Sequence, residues 1–128
     1  MKRVLDASAI LAGLNEEPGA ERVAAALPDG VISAVNLAEV TAGLLRGGNS
    51  PVQVRAVIRA LACSVIPADE EMAIDAGLLR AVTDRAGLSL ADRFCLALAR
   101  RLAVPVLTSD RNWSKVARDA DVTVELLR

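Results

Sequence analysis

The segment L88-SLADRFCLALARRLAVPVLTSD-110 decides the fold. Leu90, Ala91, Phe94, Cys95, Leu98 and Leu102 recur at the i, i+3, i+4 spacing of one broad apolar helix face. The run P105-VLTSD-110 that follows is a short apolar strand ending in polar residues. Asp92 fits neither the apolar face nor the basic side. At about 100° per residue, Arg93 and Arg100 project together opposite the apolar face, while Asp92 falls at its border beside Leu96 and Ala99. Ser89 stands three residues before Asp92, close to the capping-box pattern, and an acid in the first turn suits the helix dipole. Capping alone accounts for Asp92 unless other residues point to the same place.

Working outward, strands and helices alternate. V4-LD-6 reads as a strand, and A7-SAILAGLN-15 and G19-AERVAAAL-27 as helices. V31-IS-33 is a second strand, and A34-VNLAEVTAGLLRGG-48 a helix stopped by its glycines. Ser50 and Pro51 open another helix. C63-SVIP-67 is a third strand. Asp69 to Gly87 reads as one long helix, with acids at its start and a glycine at its end. After the opening segment come a helix over Arg111–Ala120 and a fifth strand in V122-TVELL-127. Short apolar strands without hairpin signals, alternating with helices, predict an α/β fold: a three-layer α/β/α sandwich on a mostly parallel sheet of about five strands. Strand order is not readable. The chain, residues 1–128, is expected to be a single domain.

Composition excludes several chemistries. With 53% hydrophobic but only 2% aromatic residues, the core is aliphatic. No uncharged run approaches the ~18 residues a membrane helix needs. The start resembles a signal peptide faintly, but Asp6, Glu16 and Glu17 break that pattern, so a cytoplasmic location is expected. Cys63 and Cys95 lie far apart without metal-ligand spacing and read as reduced buried thiols. The absence of histidine removes Ser-His and Cys-His catalysis and His-ligated zinc. Phe94 and Trp113 are the only aromatics, too few for a base-stacking platform. Net charge is −1, yet Arg93, Arg100, Arg101, Arg111, Lys115 and Arg118 concentrate in one part of the chain. They are either a solvated helix face or a patch that meets phosphates.

Four acids remain. Asp6 and Asp110 close strands, where sites form in open α/β sheets, although each could be a plain N-cap with Ser8 or Ser109 beside it. Glu39 is the only charged residue between Val31 and Leu45, and shares its helix side with Val35, Asn36 and Gly43. It is either a surface glutamate or a carboxylate facing a cleft. If Asp6, Glu39, Asp92 and Asp110 converge, a cation is needed to keep them all ionised. All-oxygen ligation selects magnesium or manganese, ions that serve phosphoryl chemistry.

Together V4-LDASAIL-11, I32-SAVNLAEV-40 and the segment from Gly87 to Trp113 resemble the PIN domain, and specifically the VapC-type toxins of bacterial toxin–antitoxin pairs. The resemblance runs from Arg3 to about Lys115. It implies a magnesium- or manganese-dependent endoribonuclease acting on tRNA, rRNA or mRNA with one or two ions. It also implies a cognate VapB-type antitoxin that occludes the site, and a homodimer. Position by position, the family acids fall on Asp6, Glu39, Asp92 and Asp110, the catalytic and metal-holding set. Ser8, Thr108 and Ser109 match the supporting hydroxyls, and Trp113 the usual aromatic, expected to pack. Ala7 departs from the Thr or Ser often found there, at the cost of a hydrogen bond near the first acid.

Arg93, Arg111 and Lys115 are candidates for RNA backbone contacts. A phosphoacceptor signalling module would need a central acceptor Asp and a late lysine; Lys2 and Lys115 are the only lysines and neither is placed for that. A catalytically inactive PIN-like interaction module and a DNA-directed nuclease are the remaining alternatives.

Overall fold

The computed structural model describes residues 2–128. Five strands, β1 (Val4–Leu5), β2 (Val31–Ser33), β3 (Ser64–Ile66), β4 (Val106–Thr108) and β5 (Val124–Leu126), form one sheet in the order β3-β2-β1-β4-β5. Every pairing is parallel, with Val4 opposite both Val31 and Val106. Parallel neighbours need crossovers, and helices supply them. Helices α1 (Ala7–Leu14) and α2 (Ala20–Ala26) lead from β1 to β2, and α3 (Ala34–Arg46) and α4 (Pro51–Ala60) from β2 to β3. The chain then returns through α5 (Glu70–Leu78), α6 (Arg80–Thr83) and α7 (Leu90–Leu102) to β4, on the other side of β1. A 3-10 turn (Arg111–Lys115) and α8 (Ala117–Ala120) lead on to the edge strand β5. The direction of winding therefore reverses between β1 and β4.

Alternation along the strands divides the core into two layers. Val4, Val31 and Val106 face one cluster with Met72, Ala76, Leu96, Leu98 and Trp113. Leu5, Ile32 and Leu107 face the other, with Ile10, Val23, Val40, Leu44 and Val54. Each fully buried aliphatic side chain contributes about 1.5–3 kcal/mol of transfer free energy, so the sandwich stands mainly on aliphatic residues, with Trp113 as its one fully buried aromatic. Close approach sharpens this packing: a Cβ on Gly43 of α3 would lie 2.7 Å from Leu11 Cδ1 of α1. That pins the α3 backbone against α1, two elements that carry site residues.

Two expected helices are divided. The segment from Asp69 to Gly87 breaks at Leu79, whose carbonyl accepts from Val82 N, Thr83 N and the Thr83 hydroxyl, tightening the turn. Arg111–Ala120 is a 3-10 turn followed by the short α8, because Asp110 caps a tight first turn through Asn112 N at 2.9 Å. Leu90, placed on the apolar face by its spacing, is 54% exposed at the first turn of α7, where the core has not yet begun. Cys95 is buried, Cys63 half-buried, and both are free thiols.

Candidate active site

The carboxyl edge of the sheet, at the reversal between β1 and β4, is where an open α/β sheet leaves a crevice. Four chain segments begin there: α1, α3, α7 and the 3-10 turn after β4. Ser33 caps α3, Ser89 and Asp92 form a reciprocal capping box on α7, and Asp110 caps the 3-10 turn. Asp6 is the exception. It occupies the N-cap position of α1, yet its side chain makes no capping hydrogen bond.

Instead, Asp6 Oδ2 accepts from Ser8 Oγ at 2.5 Å and from Thr108 Oγ1 at 2.8 Å. These hydroxyls are themselves fixed from β4. Ser8 Oγ accepts from Ser109 N at 3.2 Å, and Thr108 Oγ1 from Asp110 N at 3.0 Å. The three supporting residues thus form one network joining Asp6 to the backbone of Asp110.

Asp6 is 3% exposed. Burial pushes its carboxyl up to about 6; donation by Ser8 and Thr108 opposes this, while the charges of Asp92 and Glu39 add to it. The thiol of Cys95 is raised first by burial, then by the charges of Asp6, Asp92 and Glu39. Those three acids thus share one electrostatic field above a buried floor.

Glu39 and Asp92 are half-buried. Asn36, one turn before Glu39, is fully buried and donates from Nδ2 to Glu39 Oε1 at 2.9 Å and to the carbonyl of Ala91 at 3.0 Å. Asn36 was noted in the sequence only as a neighbour of Glu39. Its signal was a polar residue in register with the core positions Val40 and Leu44.

Each acid keeps one oxygen engaged and one open. Asp6 Oδ2, Glu39 Oε1, Asp92 Oδ2 and Asp110 Oδ1 accept hydrogen bonds, and their second oxygens accept none among the described residues. None of the four pairs with a lysine or arginine among the described residues. This is an anionic, all-oxygen donor set without protein countercharge, which fits Mg2+ or Mn2+. Among the described residues no three Asp, Glu, Cys or His groups come together so that they could hold a metal ion by themselves. Magnesium is commonly bound by one or two carboxylates with several waters and substrate phosphate rather than by an all-protein cage.

The basic candidates are placed differently. Arg111 and Lys115 are exposed on the 3-10 turn that Asp110 opens. Arg93 is half-buried, with Nε enclosed and without a partner. Trp113 is fully buried in the core and serves packing.

Residues 3–119 match the PIN domain family, and the chain belongs to that family. No curated protein gives a significant sequence match. Among solved structures, the chain is similar to one in DNA-bound VapBC from Salmonella typhimurium, with 22% identity and a TM-score of 0.76 over 100% of this chain and 99% of that one. VapBC-1 from nontypeable Haemophilus influenzae matches at 23% identity and TM-score 0.73, over 99% and 98% of the two chains. VapC20 of Mycobacterium tuberculosis, a sarcin–ricin-loop-cleaving toxin, matches at 19% identity and TM-score 0.72, over 89% and 93%. The α/β sandwich is thus the fold seen in these VapBC and VapC structures. Among the described residues no helix is long and apolar enough to cross a membrane.

Proposed function

We propose that this protein is a Mg2+- or Mn2+-dependent endoribonuclease toxin, acting on RNA in the cytoplasm and held inactive by a VapB-type antitoxin. The observation that carries the reading is Asp6: a buried carboxylate at the sheet's reversal point, loaded by the charges of Asp92 and Glu39 and matched by no basic residue among the described residues. Such an arrangement is costly unless a cation joins it. The likeness to a toxin that cleaves the sarcin–ricin loop supports RNA as substrate, and the VapBC complexes support an antitoxin partner.

In this reading the carboxylates of Asp6, Glu39, Asp92 and Asp110 would hold the ion or ions. A bound divalent ion supplies Lewis acidity toward phosphoryl oxygens and makes water a better nucleophile near neutral pH. Ser8 and Thr108 hold Asp6 Oδ2, so that Oδ1 alone is presented. Ser109 fixes Ser8 through its backbone N–H. Arg111 and Lys115 flank Asp110 and meet the phosphate backbone, with Arg93 beside Asp92 as a third contact.

The homodimer has a candidate face. Ile74 and Leu78 of α5 and Val82 of α6 are apolar and exposed, by 53%, 68% and 36%, at four-residue spacing. Glu70 and Glu71 precede them in the chain and Arg85 follows. Two copies packed antiparallel about a two-fold axis would set the acidic end of each on the basic end of the other.

Induced expression in a bacterial host tests the toxin reading. The wild-type chain is expected to arrest growth, and Asp6→Asn is expected to be harmless at equal protein level. Arrest by both proteins contradicts the assignment of Asp6.

A further inference from the structure

Asn36 stands where the fold calls for an apolar residue. On α3 the buried positions are Asn36, Val40 and Leu44, a stripe at the i, i+4, i+8 spacing. Both neighbours of the Asn36 amide, Glu39 Oε1 and the Ala91 carbonyl, are acceptors, so only the NH2 group can face them. The consequence is that Asn36 Oδ1 is buried without a hydrogen-bond partner. Such orphaned buried acceptors are rare in folded proteins because they cost stability. Here the amide is kept for its two donors at the expense of its acceptor.

One donor reaches a site acid, Glu39, and the other the backbone carbonyl next to Asp92. Ala91 precedes Asp92, so the bond to its carbonyl anchors the amide on the first turn of α7. The second bond then holds the Glu39 carboxylate with Oε2 open. A lysine or arginine could hold Glu39 as firmly but would cancel its charge; a neutral amide orients the carboxylate and leaves it anionic.

We propose that Asn36 is a positioning residue for the metal site: anchored at Ala91, it sets the Glu39 carboxylate beside Asp92 for cation binding. This rests on the metal-site reading above. Partners that orient metal-binding carboxylates affect affinity without touching the ion.

The test is calorimetric titration of MnCl2 into the chelator-treated full chain, for wild type, Asn36→Leu, Glu39→Gln and the double variant, with thermal melts of each. Asn36→Leu is expected to weaken Mn2+ binding about tenfold while the melting temperature stays at or above that of wild type, since leucine suits the stripe. In the Glu39→Gln background the same change is expected to cause no further weakening, because Asn36 acts through Glu39. Should Asn36→Leu not fold, Asn36→Ser keeps one donor in a smaller side chain, and is expected to weaken Mn2+ binding by a smaller factor.

Unchanged Mn2+ affinity in a folded Asn36 variant overturns the proposal. So does an equal fold-loss with and without Glu39, which would make Asn36 a structural tie only. Asp6→Asn, run alongside, separates the two levels. Wild-type Mn2+ affinity in that variant defeats the metal-site reading and this proposal together, whereas binding that needs Asp6 but ignores Asn36 defeats this proposal alone.

Discussion

Thr108 Oγ1 at the end of β4 donates to Asp6 Oδ2 at the end of β1, 2.8 Å away, and at the same time accepts from the backbone N–H of Asp110. One hydroxyl thus couples the two strand-end acids across the point where the sheet reverses. Thr108→Val keeps the side-chain shape and removes both bonds. Stability is expected to fall by about 1–3 kcal/mol, because a buried carboxylate loses a donor and an amide loses its acceptor. Loss of that donor also raises the Asp6 carboxyl further, so the acid limb of the pH–activity profile moves to higher pH. Thermal melts and a pH–rate series on the variant check both effects.

The raised carboxyl of Asp6 makes a prediction about pH. Its value in the folded chain is about 6, against an ordinary 3.8. Between these values the folded state binds more proton than the unfolded state, so stability falls as pH rises through the window, by about 3 kcal/mol in all. Asp6→Asn lacks this loss. Without divalent metal, the variant is expected to melt above wild type at pH 7 and to lose that advantage towards pH 4. Added Mn2+ at pH 7 should raise the wild-type melting temperature and leave the variant unmoved. Parallel melts across pH, with and without Mn2+, measure this.

Arg111 and Lys115 are exposed on the 3-10 turn that Asp110 caps, so their contribution to RNA binding should be electrostatic. Reversing both charges is expected to weaken binding to a single-stranded oligoribonucleotide and to flatten the salt dependence of log K by roughly 1.4, given a slope of about 0.7 per phosphate on single strands. Binding isotherms at several salt concentrations read the slope directly.

Leu78 is the most exposed of Ile74, Leu78 and Val82. Leu78→Glu should convert the proposed dimer to a monomer in sedimentation velocity, while the stability of the monomer itself changes by no more than about 0.5 kcal/mol, as expected for a surface substitution. An unchanged sedimentation coefficient would contradict this face as a dimer interface.

Much of this architecture was legible before the coordinates. All five strands fall inside the short runs read as strands, and the helix carrying Asp92 begins at the capping Ser89. Asp110 and Asp92 prove to be real caps, so the modest reading of each was sound, and capping does not prevent the second oxygen of each from staying open. Asp6 is not distinguishable from a cap by sequence, since its position is that of an N-cap and its side chain is drawn away by Ser8 together with the tertiary contact from Thr108. Strand order was hidden because crossover helices of similar length can place β4 on either side of β1. The break at Leu79 was hidden too, since helical periodicity continues through it and the cause is a local one, three donors on one carbonyl. The orphaned Oδ1 of Asn36 depends on a partner fifty-five residues away and has no trace in local pattern.

The most direct test of the central claim is cleavage of total bacterial RNA by the purified chain, free of antitoxin, with Mg2+ or Mn2+ and with chelator. Discrete fragments are expected with either ion, none with chelator, and none from Asp6→Asn at any metal concentration. The new ends should carry no 2′,3′-cyclic phosphate, since water rather than the neighbouring 2′-hydroxyl attacks the phosphorus. Cleavage that survives chelation, or that persists in a folded Asp6→Asn variant, would contradict the account.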